Sequence, residues 1–281
     1  MGSNNIVIIG PRASGKTTYL AGLSYWPKLK DVLQEKRDYE IHPRDEGALR
    51  LQYQAKNILL EGEFSPTVIP IEVCFGIKIK RRFSKTELDL YLVFKDYPGE
   101  IDEPSMHLHR WYREFWQEYL SPDVVGCLIL LPAWQREECD RQYSRIVENL
   151  TKLIDEYKRM KNFRLAVAMS KCERIELWPG RLNPESDLFE IHLPRTTDIL
   201  RRRIPKENLK FFAISSFGVL GENDPRPNRA NRIIHGEFLS VLRDSEKWQP
   251  YNLIEPLYWL STGQVIPVLN RKFPALFSWQ G

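Results

Sequence analysis

Cysteine is scarce and unpatterned in this chain. Cys74, Cys127, Cys139 and Cys172 form no Cys-x-x-Cys pair and no repeat of spacing, which argues against a zinc cluster or a disulfide framework. Such usage fits a reduced, cytoplasmic compartment. Long apolar runs are missing too. The longest, Val124–Pro132, falls well short of the about 20 residues that a bilayer-spanning helix needs, and it reads as a buried strand. The N-terminal Met-Gly-Ser-Asn-Asn-Ile has no apolar signal core. Ile6 stands where a myristoylation site needs Ser or Thr, so no membrane attachment is expected. Nor is there an excess of one charge: 41 Lys and Arg against 37 Asp and Glu leave +4 over 281 residues, which disfavours nucleic acid as a partner. His107 and His109 are two apart and cannot share a helical face, so they offer no metal site.

What remains is ordinary globular composition, 42% apolar and 28% charged, on a chain long enough to bury a sizeable core. No linker or repeat divides it. We therefore expect one domain over residues 1–281, with insertions near 28–61 and 174–207 and a C-terminal helical extension near 246–281. Ile6-Val7-Ile8-Ile9, ended by Gly10, reads as a buried parallel strand. A helix follows from Lys16 to Trp26, where Pro27 is expected to stop it. Residues 28–44 are charged and read as irregular. Ala48, Leu51, Ala55 and Ile58 recur at helical spacing up to Gly62. Val68–Ile79 and Leu88–Phe94 read as an antiparallel hairpin. Next come an aromatic helix over 105–120, the strand Val124–Leu131 and a long helix through Ile146, Leu150, Leu153 and Tyr157. Strands at Phe163–Met169 and Leu209–Ile214 follow, with helices near 230–243 and 252–261. This order predicts an α/β fold: a mostly parallel sheet, helices on both faces, and one antiparallel edge hairpin strand. The phosphate loop Gly10–Thr17 makes it of the P-loop NTPase type.

Gly10-Pro-Arg-Ala-Ser-Gly15-Lys16-Thr17 fits G-x-x-x-x-G-K-[ST] at every fixed position, between a strand and a helix. The chemistry explains the spacing. Glycines let the backbone curl so that successive N–H groups point at phosphate oxygens, and the helix start adds its dipole. Lys16 supplies a cation for the β- and γ-phosphates, and the Thr17 hydroxyl suits Mg²⁺. Gly10, Ala13, Ser14, Gly15 and Thr18 complete the phosphate-binding set.

Further motifs follow in order. Asp96-Tyr-Pro-Gly99 comes after an apolar strand, where a Mg²⁺-coordinating aspartate belongs, and Gly99 offers a small N–H for a γ-phosphate. Thr67 lies in the loop before the hairpin. Ser170-Lys171-Cys172-Glu173 follows a strand, and a carboxylate there accepts hydrogen bonds only. Guanine presents N–H donors at N1 and N2 whereas adenine presents an acceptor at N1, so Glu173 favours guanine. The Lys171 stem can cover the base face.

With these motifs the chain resembles the Ras-like class of P-loop GTPases. The resemblance covers about residues 5–245. It implies that Thr67 caps Mg²⁺ from the first switch loop, that Thr17 and Asp96 manage the ion, and that 170–173 is a form of the Asn/Thr-Lys-x-Asp motif. It also implies that Ser215-Ser216 stands for the loop whose backbone reads the guanine carbonyl. GTP and GDP are then the ligands. The helix before Gly62, Pro66-Thr67 and the ending Ile254-Glu-Pro-Leu-Tyr-Trp-Leu260 look like bacterial double-GTPase-type domains.

The hydrolytic residues depart from the class. Glu100 stands where Gln is usual, and its charge opposes a γ-phosphate unless offset. Arg12 occupies a loop position where small residues are common; it stabilises transition-state charge in cis, blocks the usual water geometry, or is a solvated loop arginine. Slow hydrolysis, accelerated by a protein partner, is the expectation. Such a partner would bind the switch regions and the aromatic helix 105–120, although helical aromatic stripes are mostly core. Arg201–Arg203 reads as a solvated face. Two alternatives stand beside this: an ATPase or phosphotransferase sharing only the phosphate loop, and a pseudo-GTPase scaffold without turnover.

Overall fold

Alternating apolar side chains build a central sheet with two buried faces. This computed structural model describes residues 5–32, 39–62, 72–80, 87–95, 110–133, 136–234 and 237–265. The elements in order are β1 (Asn5–Ile9), α1 (Lys16–Val32), β2 (Tyr39–Pro43), α2 (Glu46–Leu60), β3 (Glu72–Lys80), β4 (Glu87–Lys95), α3 (Arg110–Tyr119), β5 (Val124–Pro132), α4 (Arg136–Glu156) and β6 (Arg164–Ser170). They continue with the single turn α5 (Glu190–His192), α6 (Pro194–Arg203), β7 (Leu209–Ala213), β8 (Val219–Gly221), β9 (Asp224–Pro227), β10 (Arg229–Ile234), β11 (Glu237–Leu242) and α7 (Glu255–Thr262). The main sheet runs β2-β3-β4-β1-β5-β6-β7. β1 pairs in parallel with β4 and β5, and β5–β6 and β6–β7 are parallel as well. β3 is antiparallel to β4 and to β2. This is the expected fold class.

The period of two along each strand decides which helices it meets. Val7 and Ile9 of β1, Ile129 and Leu131 of β5, and Val167 and Met169 of β6 face α3, α4 and α6, where Trp116, Tyr143, Val147, Leu150 and Leu200 complete one core. Ile6, Ile8, Leu128, Leu130, Ala166 and Ala168 face the other way, onto Tyr19, Leu20 and Leu23 of α1 and Leu257 to Leu260 of α7. A third cluster joins Ala21 of α1, Ala55, Ile58 and Leu59 of α2, Leu242 of β11, Phe217 and Trp248. Among the described residues no helix is long and apolar enough to cross a membrane.

Three expectations need correction. α1 does not stop at Pro27 but runs to Val32. Proline removes the N–H that would reach the Leu23 carbonyl four residues back, and the buried Tyr39 hydroxyl donates to that carbonyl instead, at 2.8 Å. The same tyrosine begins β2, a strand inside the segment 28–44 that reads as irregular. Tyr39 and Ile41 are buried on one side of it, and β2 covers the outer edge of the antiparallel β3. Third, residues 230–243 are not a helix but the hairpin β10–β11, with Ile234 opposite Glu237 across two residues. Strand-forming Ile233, Ile234, Phe238 and Val241 flank Gly236, which is poor in a helix interior.

Other elements match their patterns. α2 starts where the Asp45 carboxylate accepts the Ala48 N–H at 2.6 Å and ends before Gly62, whose φ is +72°. The insertion 174–207 folds into short helical turns and α6. α6 lacks a capping side chain of its own; Asp140 of α4 serves instead, accepting from the N–H groups of Arg195 and Thr196 and from the Thr196 hydroxyl at 2.8–3.0 Å. The arginine run is a solvated face: Arg201 pairs with Glu185 and Glu190, Arg202 with Asp198, and Arg203 with Glu148.

Candidate functional site

The carboxyl ends of β1, β6 and β7 bring the phosphate loop and both base-loop candidates to one edge of the sheet. Gly10 follows β1 in the middle of the sheet. A Cβ there would lie 2.6 Å from the Leu130 carbonyl oxygen and 2.7 Å from Ser14 Oγ, so only glycine lets the loop leave the strand. The loop then turns on Ala13, at φ +59°, and Gly15, at φ +90°. Ala13 is a side-chain-bearing residue in the left-handed region, a strain of about 1–3 kcal/mol held by the surrounding loop. The Ser14 N–H donates to the Pro11 carbonyl at 3.1 Å, and the Tyr19 N–H returns to Gly15 at 2.8 Å as α1 begins.

Lys16 folds back over the loop, with Nζ donating to the carbonyls of Gly10 at 2.9 Å and Pro11 at 3.2 Å. A phosphate arriving here would meet a cation already placed. Thr17 and Thr18 are half-buried in the first turn of α1, and Arg12 and Ala13 are exposed. Ser14 is buried and its Oγ has no hydrogen-bond partner. These features fit a nucleotide phosphate group: a loop curled through Ala13 and Gly15, an ammonium folded over it, and the start of α1 behind it.

The phosphate loop is tied directly to the segment after β6. Ser170 Oγ donates to the Ser14 carbonyl at 2.8 Å. Lys171 adopts φ +59°, and its Cε lies 3.8 Å from where a Gly15 Cβ would stand. Burial first, then the nearby Arg229 and Arg174, with Glu173 partly offsetting them, push its ammonium pKa down to about 8. The Cys172 N–H donates to Ile214 at 3.1 Å, which fixes this segment against the end of β7.

Glu173 is 1% exposed. One of its carboxylate oxygens, Oε2, accepts the Ser215 hydroxyl at 2.7 Å. Ser215 Oγ in turn accepts the Gly218 N–H at 2.7 Å, so its single proton is committed to Glu173. The other oxygen, Oε1, has no hydrogen bond and faces Arg229 Nη1 at 3.6 Å. The Ser215 backbone exchanges two hydrogen bonds with Tyr251, at 2.8 and 3.0 Å, and the Ser216 carbonyl accepts Trp248 Nε1 at 2.8 Å. Trp248 stacks on Tyr25 and meets Trp26 edge-on. An outer layer of α1, α2 and β11 thus supports the loop 215–218.

Of the residues read from the sequence, the structure brings Gly10, Ala13 to Thr18, Ser170, Lys171, Glu173, Ser215 and Ser216 together. Thr67, Asp96, Gly99 and Glu100 lie outside the described residues. β4 pairs Val93 with Val7 and ends at Lys95. In the aromatic helix, Trp116 and Tyr119 are core residues in edge-on contact. Trp111, Tyr112 and Phe115 lie outside the described side chains. Three residues at the site escape sequence reading. Gly218 had a signal, as the glycine closing the turn after Ser215-Ser216. Arg229 and Trp248 had none, since only the fold returns them to β6 and β7.

No protein-family model and no curated protein matches the chain. Among solved structures it is similar to the signal recognition particle receptor SRb-GTP/SRX complex from Chaetomium thermophilum, at 14% identity over 78% of this chain and 93% of that one, with a TM-score of 0.41. It is similar to Sup35 complexed with GDP, at 12% identity over 76% of this chain and 38% of that one, TM-score 0.37. It is also similar to the S. cerevisiae Ski7 GTPase-like domain bound to GTP, at 15% identity over 79% and 44%, TM-score 0.39. The similarity therefore spans less than half of the Sup35 and Ski7 chains. None of these three is a bacterial double-GTPase-type domain.

Proposed function

We propose that this chain binds GTP and GDP with Mg²⁺, hydrolyses GTP slowly and acts as a nucleotide-dependent switch for a protein partner. The observation that carries the reading is the Glu173 carboxylate, buried beside the phosphate loop with one oxygen committed to Ser215 and the other without a hydrogen bond. A buried carboxylate with one acceptor oxygen that makes no hydrogen bond suits the N–H donors of guanine and is mismatched to the N1 acceptor of adenine. The direct link from Ser170 to Ser14 supports a common ligand for the two loops.

Each residue then has a part. The N–H groups from Ala13 to Thr18 and the Lys16 ammonium hold the phosphates. Lys16 draws negative charge toward the β–γ bridge as the bond to the γ-phosphate lengthens. Thr17 and Asp96, with Thr67, would hold Mg²⁺, which would supply further neutralisation of phosphate charge. Gly99 and Thr67 sense the γ-phosphate, so their loops order with GTP and relax with GDP. Glu100 in place of glutamine is the reason for slow turnover, which a partner or Arg12 would raise. Ser216 and Lys171 complete the base site, and the protein works in the cytoplasm.

The test is a titration of GTP, GDP and ATP with Mg²⁺ on the wild type and on Glu173→Ala. Preference for guanine nucleotides, lost in the variant, is the expected result. Equal or tighter ATP binding overturns the guanine reading, and binding without turnover in the presence of partners leaves the pseudo-GTPase scaffold.

A further inference from the structure

We propose that Arg229, the first residue of β10 and outside every nucleotide-binding motif, is a positioning residue that sets base specificity by balancing the charge of Glu173 without hydrogen-bonding its Oε1. The inference rests on the guanine reading and extends it to a residue of the hairpin.

The geometry separates charge from hydrogen bonding. Arg229 Nη1 stands 3.6 Å from Oε1, beyond hydrogen-bond reach but within strong Coulomb range for a buried carboxylate. A closer arginine would occupy the lone pairs that the base needs, and a more distant one would leave a carboxylate at 1% exposure with Lys171 as its nearest cationic partner in the site. Ser215 meanwhile pins the other oxygen, so the carboxylate cannot rotate freely to follow Arg229.

The hairpin holds the arginine in place. Arg229 pairs with Leu242 across the β10–β11 ladder, and the preceding Asn228 is buried with its amide nitrogen on the Asp244 carbonyl, its carbonyl oxygen accepting the Asp244 N–H, and its own N–H on the Gly218 carbonyl at 3.0 Å. Gly218 is the residue whose N–H supports Ser215 Oγ. One backbone path therefore runs from the arginine to the serine that orients the carboxylate. Lys171 feels the same field, its ammonium being disfavoured by Arg229 and favoured by Glu173. Remove Arg229 and the carboxylate, still pinned by Ser215, is left with Lys171 as the cation acting on it.

The experiment measures GDP, IDP and ADP affinity by calorimetry on the wild type, Arg229→Met, Arg229→Lys and Arg232→Met. Arg232 is an exposed arginine on the same strand and controls for charge. Arg229→Met is expected to weaken GDP at least tenfold, to leave ADP within twofold, and to narrow the GDP-to-IDP ratio that reports the N2 donor. Arg229→Lys should recover part of the loss, and Arg232→Met should match the wild type. Glu173→Gln needs no countercharge, so adding Arg229→Met to it should cost no further GDP affinity; the double variant also serves if the single one fails to fold. Unchanged GDP selectivity in Arg229→Met, with the wild type preferring guanine, overturns the role of Arg229 alone. A wild type without guanine preference overturns both readings.

Discussion

Trp248 offers the sharpest test of how the outer layer supports the base loop. Its indole is 3% exposed, stacked on Tyr25 at 5.7 Å and edge-on to Trp26 at 5.3 Å, with Nε1 on the Ser216 carbonyl at 2.8 Å. Trp248→Ala removes the whole ring and should cost about 3–5 kcal/mol of stability. Trp248→Phe is more informative because it keeps an aromatic packing partner and deletes the donor. Loss of the hydrogen bond contributes about 1 kcal/mol, and the smaller ring leaves a modest void, so about 1–2 kcal/mol is expected in all. Ser216 is half-buried, which lets water reach its carbonyl in part and favours the lower end. The loop is then less ordered before ligand arrives. Fixing one extra residue's backbone costs about 1 kcal/mol, which corresponds to about a fivefold rise in the GDP Kd. Urea unfolding gives the first quantity and calorimetric titration the second. A Trp248→Phe protein as stable as the wild type would refute the hydrogen-bond account. One that is destabilised yet binds GDP with unchanged affinity would show that the layer supports the fold without positioning the loop.

Three further predictions follow from particular contacts. Tyr39→Phe leaves the Leu23 carbonyl without its donor and should lose about 1–2 kcal/mol; Pro27→Ala restores the helical N–H, so the double variant should lose less than the single one in urea unfolding. Asp140→Ala strips three hydrogen bonds from the start of α6 and should cost about 2–4 kcal/mol, against at most a few tenths for Asp155→Ala as an exposed carboxylate control on the same helix. Lys171 has its pKa pushed down to about 8 in the folded chain, so its contribution to stability is full above the ordinary lysine value and is lost as pH falls through 8. The urea midpoint of the ligand-free protein should therefore rise between pH 7.5 and 9.5, and Lys171→Met should flatten that rise.

The phosphate loop was legible because its chemistry is local. Gly10, Gly15, Lys16 and Thr17 act through backbone curvature and spacing along one short segment, and the strand and helix beside them have clear periods. The core strands were equally plain, since Ile6–Ile9 and Val124–Pro132 are buried on both faces and carry no polar alternation to misread. Residues 230–243 failed for the opposite reason: a short, mixed run with Ile233 67% exposed has no strong period, and cross-strand pairing with β11 decided its state. β2 failed similarly, because five residues between charged segments become a strand only when β3 offers an edge.

By itself, then, the sequence determined the sheet's apolar strands, the helix-forming segments between most of them, and the loop that can cradle a phosphate. Tertiary structure alone decided that α1 passes through Pro27, because the compensating hydroxyl comes from Tyr39, on a separate strand. It alone set Arg229 at 3.6 Å from Glu173 and Trp248 on the Ser216 carbonyl. Hydrophobic period and loop geometry are properties of neighbouring residues, whereas a buried charge is balanced, and a buried carbonyl satisfied, by whichever group the completed fold brings within a few ångströms.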